Sequence, residues 1–115
     1  MKLVSILSPC YNGETYVSRF LDSVLIQDYP NLEVIVVNDG STDDTDKIIK
    51  SYISKFKDKN IEFIYLKQEN SGAAGAINNG LKYVKGDYLT WPDSDDVLTP
   101  DSISKKVQFL ESNPK

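Results

Sequence analysis

The amino-acid sequence predicts the α/β class: an open, mostly parallel sheet with helices packed over it. Three observations lead there. Short apolar runs alternate four times with segments whose apolar residues recur at helical spacing. The second run, "LEVIVV" from Leu32 to Val37, is nearly continuous and rich in β-branched residues, as in a strand buried on both faces of a parallel sheet. Each run is followed by an unusually polar segment, "SPCYNGE", "NDGSTDD", "KQENSG" or "PDSDD". Parallel strands need helical crossovers that cover the sheet, so the alternation implies layers of helix on a sheet. A length of 115 residues suits one domain around one core.

Leu3 to Ser8 is the first strand signal, bounded by Pro9. Tyr16 to Gln27 then puts Val17, Phe20, Leu21, Val24 and Leu25 on one helical face. The second strand stops at Asn38-Asp39-Gly40. Ser41-Thr42-Asp43-Asp44 supplies N-cap candidates and acids suited to a helix amino terminus, ahead of Ile48, Ile49, Tyr52, Ile53 and Phe56. "IEFIYL", Ile61 to Leu66, is the third strand, and Ala73, Ala76, Ile77, Leu81 and Val84 mark a helix rich in small residues. "GDYLTW" is the fourth strand. Pro100 is expected in the first turn of the last helix, with Thr99 as N-cap and Ile103, Val107 and Leu110 facing inward.

Composition narrows the chemistry. With 40% hydrophobic and 26% charged residues and no long apolar run, the chain reads as a globular protein of the cytosol without an export signal. One cysteine and no histidine exclude an internal disulfide, the usual zinc-ligand sets and histidine-based triads. A net charge of -4 argues against a nucleic-acid partner and for a divalent cation.

In an open parallel sheet the loops leaving the carboxyl ends of the strands share one edge, and ligands bind there where the strand order switches. The four polar segments would form one rim. On it stand Asp93, Asp95 and Asp96, crowded directly after an apolar strand and Trp91-Pro92. If the chain stays extended, Asp93 and Asp95 lie roughly 6–7 Å apart at about 3.3 Å per residue. Their repulsion is then about 2–3 kcal/mol at an effective dielectric near 20, and well under about 1 kcal/mol in water. A solvated acidic turn capping the last helix therefore remains open. So does a site where a hard divalent ion, bound by oxygens, cancels the repulsion and holds a diphosphate.

"VSILSPCYNGETYVSRFLDSVLIQDYPNLEVIVVNDGSTDDT", followed by "NSGAAGAINNGLKYVKGDYLTWPDSDDVLTP", resembles the amino-terminal half of the family 2 glycosyltransferases of the GT-A fold, a Rossmann-like sheet sandwiched by helices. The likeness covers nearly the whole chain and rests on several motifs in order, whereas a lone D-x-D would be weak. It implies an enzyme that moves a sugar from a nucleotide-diphosphate donor, by family likeness a UDP-sugar with inversion, to a glycan or lipid-linked acceptor, with Mg²⁺ or Mn²⁺ on the diphosphate. Carried over position by position, it implies that Pro9, Tyr11, Asn12 and Glu14 cradle base and ribose, with Tyr11 a stacking face and Glu14 an acceptor; a plain turn in which Asn12-Gly13 opens a helix stays open for this segment. Asp39 would accept a hydrogen bond from a ring N–H of the base; a turn or helix-cap role stays open for it. Lys67 and the Asn70-Ser71-Gly72 loop would approach the nucleotide, although a solvated lysine is the plainer role for Lys67. Asp95 is the implied metal ligand, Asp93 contacts ribose or shares the ion, and Asp96 supports them or caps a helix.

Two departures qualify the likeness. Ile77 stands where many members carry an arginine. The family's acceptor surface and catalytic base lie beyond the D-x-D, so residues 1–115 are expected to be the donor-binding part of a truncated domain, with no catalytic base assigned. Such a part should expose a sheet edge and apolar surface near the fourth strand, a route to self-association. A place at the inner membrane face is implied by the likeness alone. Two other readings remain: a non-catalytic module that keeps the fold, and a phosphoacceptor receiver-like domain, which "SPCYNGE" disfavours because it lacks paired acids after the first strand.

Overall fold

The computed structural model describes residues 1–112. Its elements run β1 (Val4–Cys10), α1 (Val17–Leu25), β2 (Leu32–Asp39), α2 (Thr45–Asp58), β3 (Glu62–Gln68), α3 (Gly72–Leu81), β4 (Tyr88–Thr90) and α4 (Ser102–Ser112). The four strands form one sheet in the order β3-β2-β1-β4, and all pairings are parallel. The order reverses between β1 and β4, so the loops after these two strands flank the switch point.

Strand alternation divides the core in two. Val4, Ile6, Val34 and Val36 face the larger layer, where Phe20, Leu21, Ile49, Phe56 and Ile103 from α1, α2 and α4 are fully buried. Leu7, Ile35 and Val37 face the other way, against Ala76 of α3. That helix lies close: a Cβ on Gly80 would sit 2.2 Å from Leu7 Cδ1, which explains the small residues read from its sequence. All eight residues of β2 are buried, as its continuous apolar run requires, whereas the edge strand β3 is only partly covered.

Local corrections have physical reasons. The carboxylate of Asp44, at the N-cap of α2, makes no capping bond; Asp43 accepts from the Thr45 N–H at 3.0 Å instead. β4 has three residues, because only Val4, Ser5 and Ile6 of β1 pair with it. Pro100 precedes α4 rather than opening it, and the Ile103 N–H is taken by Gln27 Oε1 at 3.0 Å. Ile103 faces the core as expected, Val107 is half-buried, and Leu110 is exposed.

At the amino end of the sheet, the carboxylate of Glu33 is buried. It accepts from the Ser5 hydroxyl and from the Lys85 N–H at 2.7 Å, while the Gly86 N–H donates to Ser5 Oγ at 2.9 Å. Its other oxygen, Oε1, has no protein partner among the described residues. No helix among the described residues is long and apolar enough to cross a membrane.

Candidate functional site

The carboxyl ends of β1, β2 and β4 and the amino end of α3 enclose a cavity of about 240 Å³. β1 and its loop contribute Pro9, Cys10, Tyr11 and Tyr16; β2 contributes Asp39; α3 contributes Ala73; the segment after β4 contributes Asp93, Ser94 and Asp95. A separate groove of about 460 Å³ runs along the outer side of β4, past Trp91, Val97 and Lys106.

The wall formed by the first two loops is tied by hydrogen bonds. Asn12 adopts a left-handed conformation, φ 49°, so that its N–H reaches Ser41 Oγ at 2.9 Å and its Oδ1 accepts from the Thr42 N–H at 2.8 Å. The Gly13 N–H donates to Thr45 Oγ1 at 2.8 Å, and that hydroxyl donates to Asp43. The Glu14 N–H donates to Asp43 Oδ2 at 3.2 Å, while the Glu14 side chain is exposed. Burial works to raise the Asp43 pKa, but the hydroxyl and N–H of Thr45 and the N–H of Glu14 outweigh it and hold the carboxyl below its ordinary range.

Asp39 is 3% exposed and crosses to the third loop. Its Oδ1 accepts from Gln68 Nε2 at 2.9 Å and the Ser71 N–H at 2.8 Å; its Oδ2 accepts from the Gly72 N–H at 2.9 Å, with Asn70 Nδ2 farther off at 3.4 Å. The carboxylate thus caps the amino terminus of α3 from a neighbouring strand. Burial favours the neutral acid here too, yet the donors of Ser71, Gln68 and Gly72 prevail and lower the pKa. Gly40 permits this closeness: its φ is +74°, and a Cβ would lie 2.6 Å from the Asn70 nitrogen.

The acidic segment is not extended. It turns, with the Asp96 N–H donating to the Asp93 carbonyl at 3.0 Å and the Asp93 N–H donating to Asp96 Oδ2 at 3.1 Å. Asp93, Asp95 and Asp96 each offer a carboxylate oxygen, all within 4.8 Å of one another and all exposed. Oxygen donors at this spacing fit a hard divalent cation such as Mg²⁺ or Mn²⁺. Asp96 closes its own turn and does not cap α4. Between the acids, Ser94 is buried and turned to the cavity that Cys10 and Tyr16 also line.

Of the residues singled out in the sequence, Pro9, Tyr11, Asp39, Asp93 and Asp95 meet at the cavity, and Gly72 touches it through Asp39. Asn12 and Glu14 lie behind the wall. Lys67 points to the α2 side of the sheet and pairs with Asp46 at 3.6 Å, away from the cavity. Cys10, Tyr16, Ala73 and Ser94 were not singled out as site residues. The only signal for Ser94 is its place between two acids.

Comparison with known proteins agrees with this geometry. Residues 5–115 match the model of glycosyl transferase family 2. An uncharacterized glycosyltransferase of Rickettsia prowazekii is 44% identical over 108 residues, covering 94% of this chain and 32% of that protein. S. aureus TarS 1-349 in complex with UDP-GlcNAc superposes with a TM-score of 0.86 at 30% identity, over 97% of this chain and 32% of that one. The mannosyltransferase PcManGT of Pyrobaculum calidifontis, in complex with GDP-Man and Mn²⁺, gives 0.89 at 28% identity, over 95% of this chain and 32% of that one. The chain thus spans about a third of the length of these relatives. With a GT-A fold and a family match over nearly its whole length, the chain belongs to glycosyl transferase family 2.

Proposed function

We propose that residues 1–115 are the donor-binding part of a metal-dependent glycosyltransferase. The cavity takes a nucleoside-diphosphate sugar, with uridine as the base, and the sugar passes with inversion to a glycan or lipid-linked acceptor. One observation carries the reading: a base-sized cavity has Asp39 on one wall and two exposed acids of a three-carboxylate cluster on the other.

Transfer breaks the bond from the anomeric carbon to the diphosphate, so negative charge collects on the departing nucleotide. A divalent ion, when bound, neutralises that charge. The chain's own residues do the rest. Asp95 and Asp93 supply oxygens for the ion, and Asp93 also lies within reach of a ribose. Tyr11, half exposed beside Pro9, offers a face for stacking. Asp39 accepts from the ring N–H of the base, the long contact from Asn70 being the one that yields. Asn12 and Glu14 hold the loop through their main-chain bonds.

Calorimetry with UDP and GDP, with and without Mn²⁺, tests this. The expected result is UDP binding that Mn²⁺ strengthens by about tenfold or more, a gain that Asp95→Ala abolishes. Equal, metal-independent binding by both proteins would remove the acidic cluster from the site. No nucleotide binding by a folded sample would favour a non-catalytic module instead.

A further inference from the structure

We propose that Ser94 and Tyr16 are positioning residues that lock the acidic turn onto the first loop, so that the carboxylates of Asp93 and Asp95 are set in place relative to the nucleotide side of the cavity. The inference rests on the donor-site reading above.

Ser94 is 6% exposed, whereas its neighbours Asp93, Asp95 and Asp96 are all exposed. A small polar side chain turned inward between outward carboxylates must find partners or lose hydrogen-bond energy. It is turned toward Cys10, at the carboxyl end of β1, and toward Tyr16, which line the same cavity. The Tyr16 hydroxyl in turn donates to the Tyr11 carbonyl at 3.2 Å. The path from the acidic turn to the backbone of Tyr11 therefore passes through Ser94 and Tyr16.

Two further contacts give the lock its geometry. Ser8 is fully buried and donates to the Pro92 carbonyl at 2.9 Å, holding the backbone one residue before Asp93. Gly13 leaves room for the node, since a Cβ there would meet Cys10 Sγ at 2.8 Å and the Tyr16 ring at 3.0 Å. The acids thus project from a turn anchored underneath, at both Pro92 and Ser94, although among the described residues no carboxylate of the three bonds to the rest of the fold.

The test compares UDP affinity with and without Mn²⁺ in the wild type and in Ser94→Ala, Tyr16→Phe and Ser94→Thr, with Mn²⁺ binding alone followed by electron paramagnetic resonance. The quantity read is the factor by which Mn²⁺ improves UDP binding. Ser94→Ala and Tyr16→Phe should each cut that factor by about tenfold, as misaligned metal ligands do, while Ser94→Thr, which keeps the hydroxyl, retains it. Circular dichroism shows whether each variant is folded, and Tyr16→Phe, which removes one oxygen from a half-buried ring, supplies the result if Ser94→Ala is not. A factor within about twofold of wild type in both hydroxyl-deletion variants overturns the positioning role. A wild type in which Mn²⁺ gives no improvement overturns the donor-site reading itself, and the positioning role with it.

Discussion

Two sets of aspartates face each other across the cavity and are built on opposite terms. Asp39 is buried, and three donors lie within 2.9 Å of its oxygens. Asp93, Asp95 and Asp96 are exposed, and their hydrogen bonds among the described residues stay inside their own turn. Asp39 has its compensation from the protein and stabilises the fold. The three acids receive no such compensation among the described residues, as the proposed cation site requires.

The same substitution at both places should separate these roles. Asp39→Asn turns an amide group toward the N–H donors of Ser71 and Gly72 and removes the charge that strengthens their bonds; about 2–3 kcal/mol of stability should be lost, measured by urea unfolding. A loss below about 0.5 kcal/mol would put Asp39 on the same footing as the exposed acids.

Acid provides the next largest effect. The folded-state pKa values of Asp39 and Asp43 are lowered, so both contribute stability that is fully present above the ordinary carboxyl value of about 3.9 and is lost as pH falls through their folded values. Stability should therefore drop steeply below about pH 4, and the slope should be shallower in Asp39→Asn. An unchanged slope would mean that Asp39 is not held ionised by its donors.

Asp95→Asn is the smallest effect on the fold. No hydrogen bond or ion pair holds its side chain among the described residues, so stability in metal-free buffer should stay within about 0.5 kcal/mol of wild type, with any change a gain from relieved repulsion. Thermal melts with and without Mn²⁺ sharpen the contrast: the metal should raise the melting temperature of the wild type and leave that of Asp95→Asn unmoved.

Much of this was legible in the sequence, for reasons that differ by element. The continuous apolar run of Leu32–Val37 leaves little alternative to a central strand, and the polar segments after each strand had to collect at one edge once the sheet was parallel. Asp39 could be placed at that edge, but its partners Ser71 and Gly72 lie 32 and 33 residues on, beyond any local pattern. Lys67 shows a signal left unused. Strand alternation sets it on the same face as Phe63 and Tyr65, toward α2, while Gln68 takes the face that reaches Asp39. Ser94 was hidden for another reason: its inward turn depends on Cys10 and Tyr16, about eighty residues earlier, and on a bend that an extended reading of "PDSDD" does not contain.

The buried carboxylate of Glu33 lies at the pole of the sheet opposite the cavity, yet it bears on the acidic turn after β4. By gripping Ser5 and the main chain of Lys85 together, it fixes the level at which the chain enters β4. A slip of a single residue there would carry the strand about 3.3 Å along its neighbour and turn its side chains to the opposite faces, shifting the aspartates away from the cavity. The height of the acids above the rim is thus gauged from below, by an anchor at the far end of the sheet.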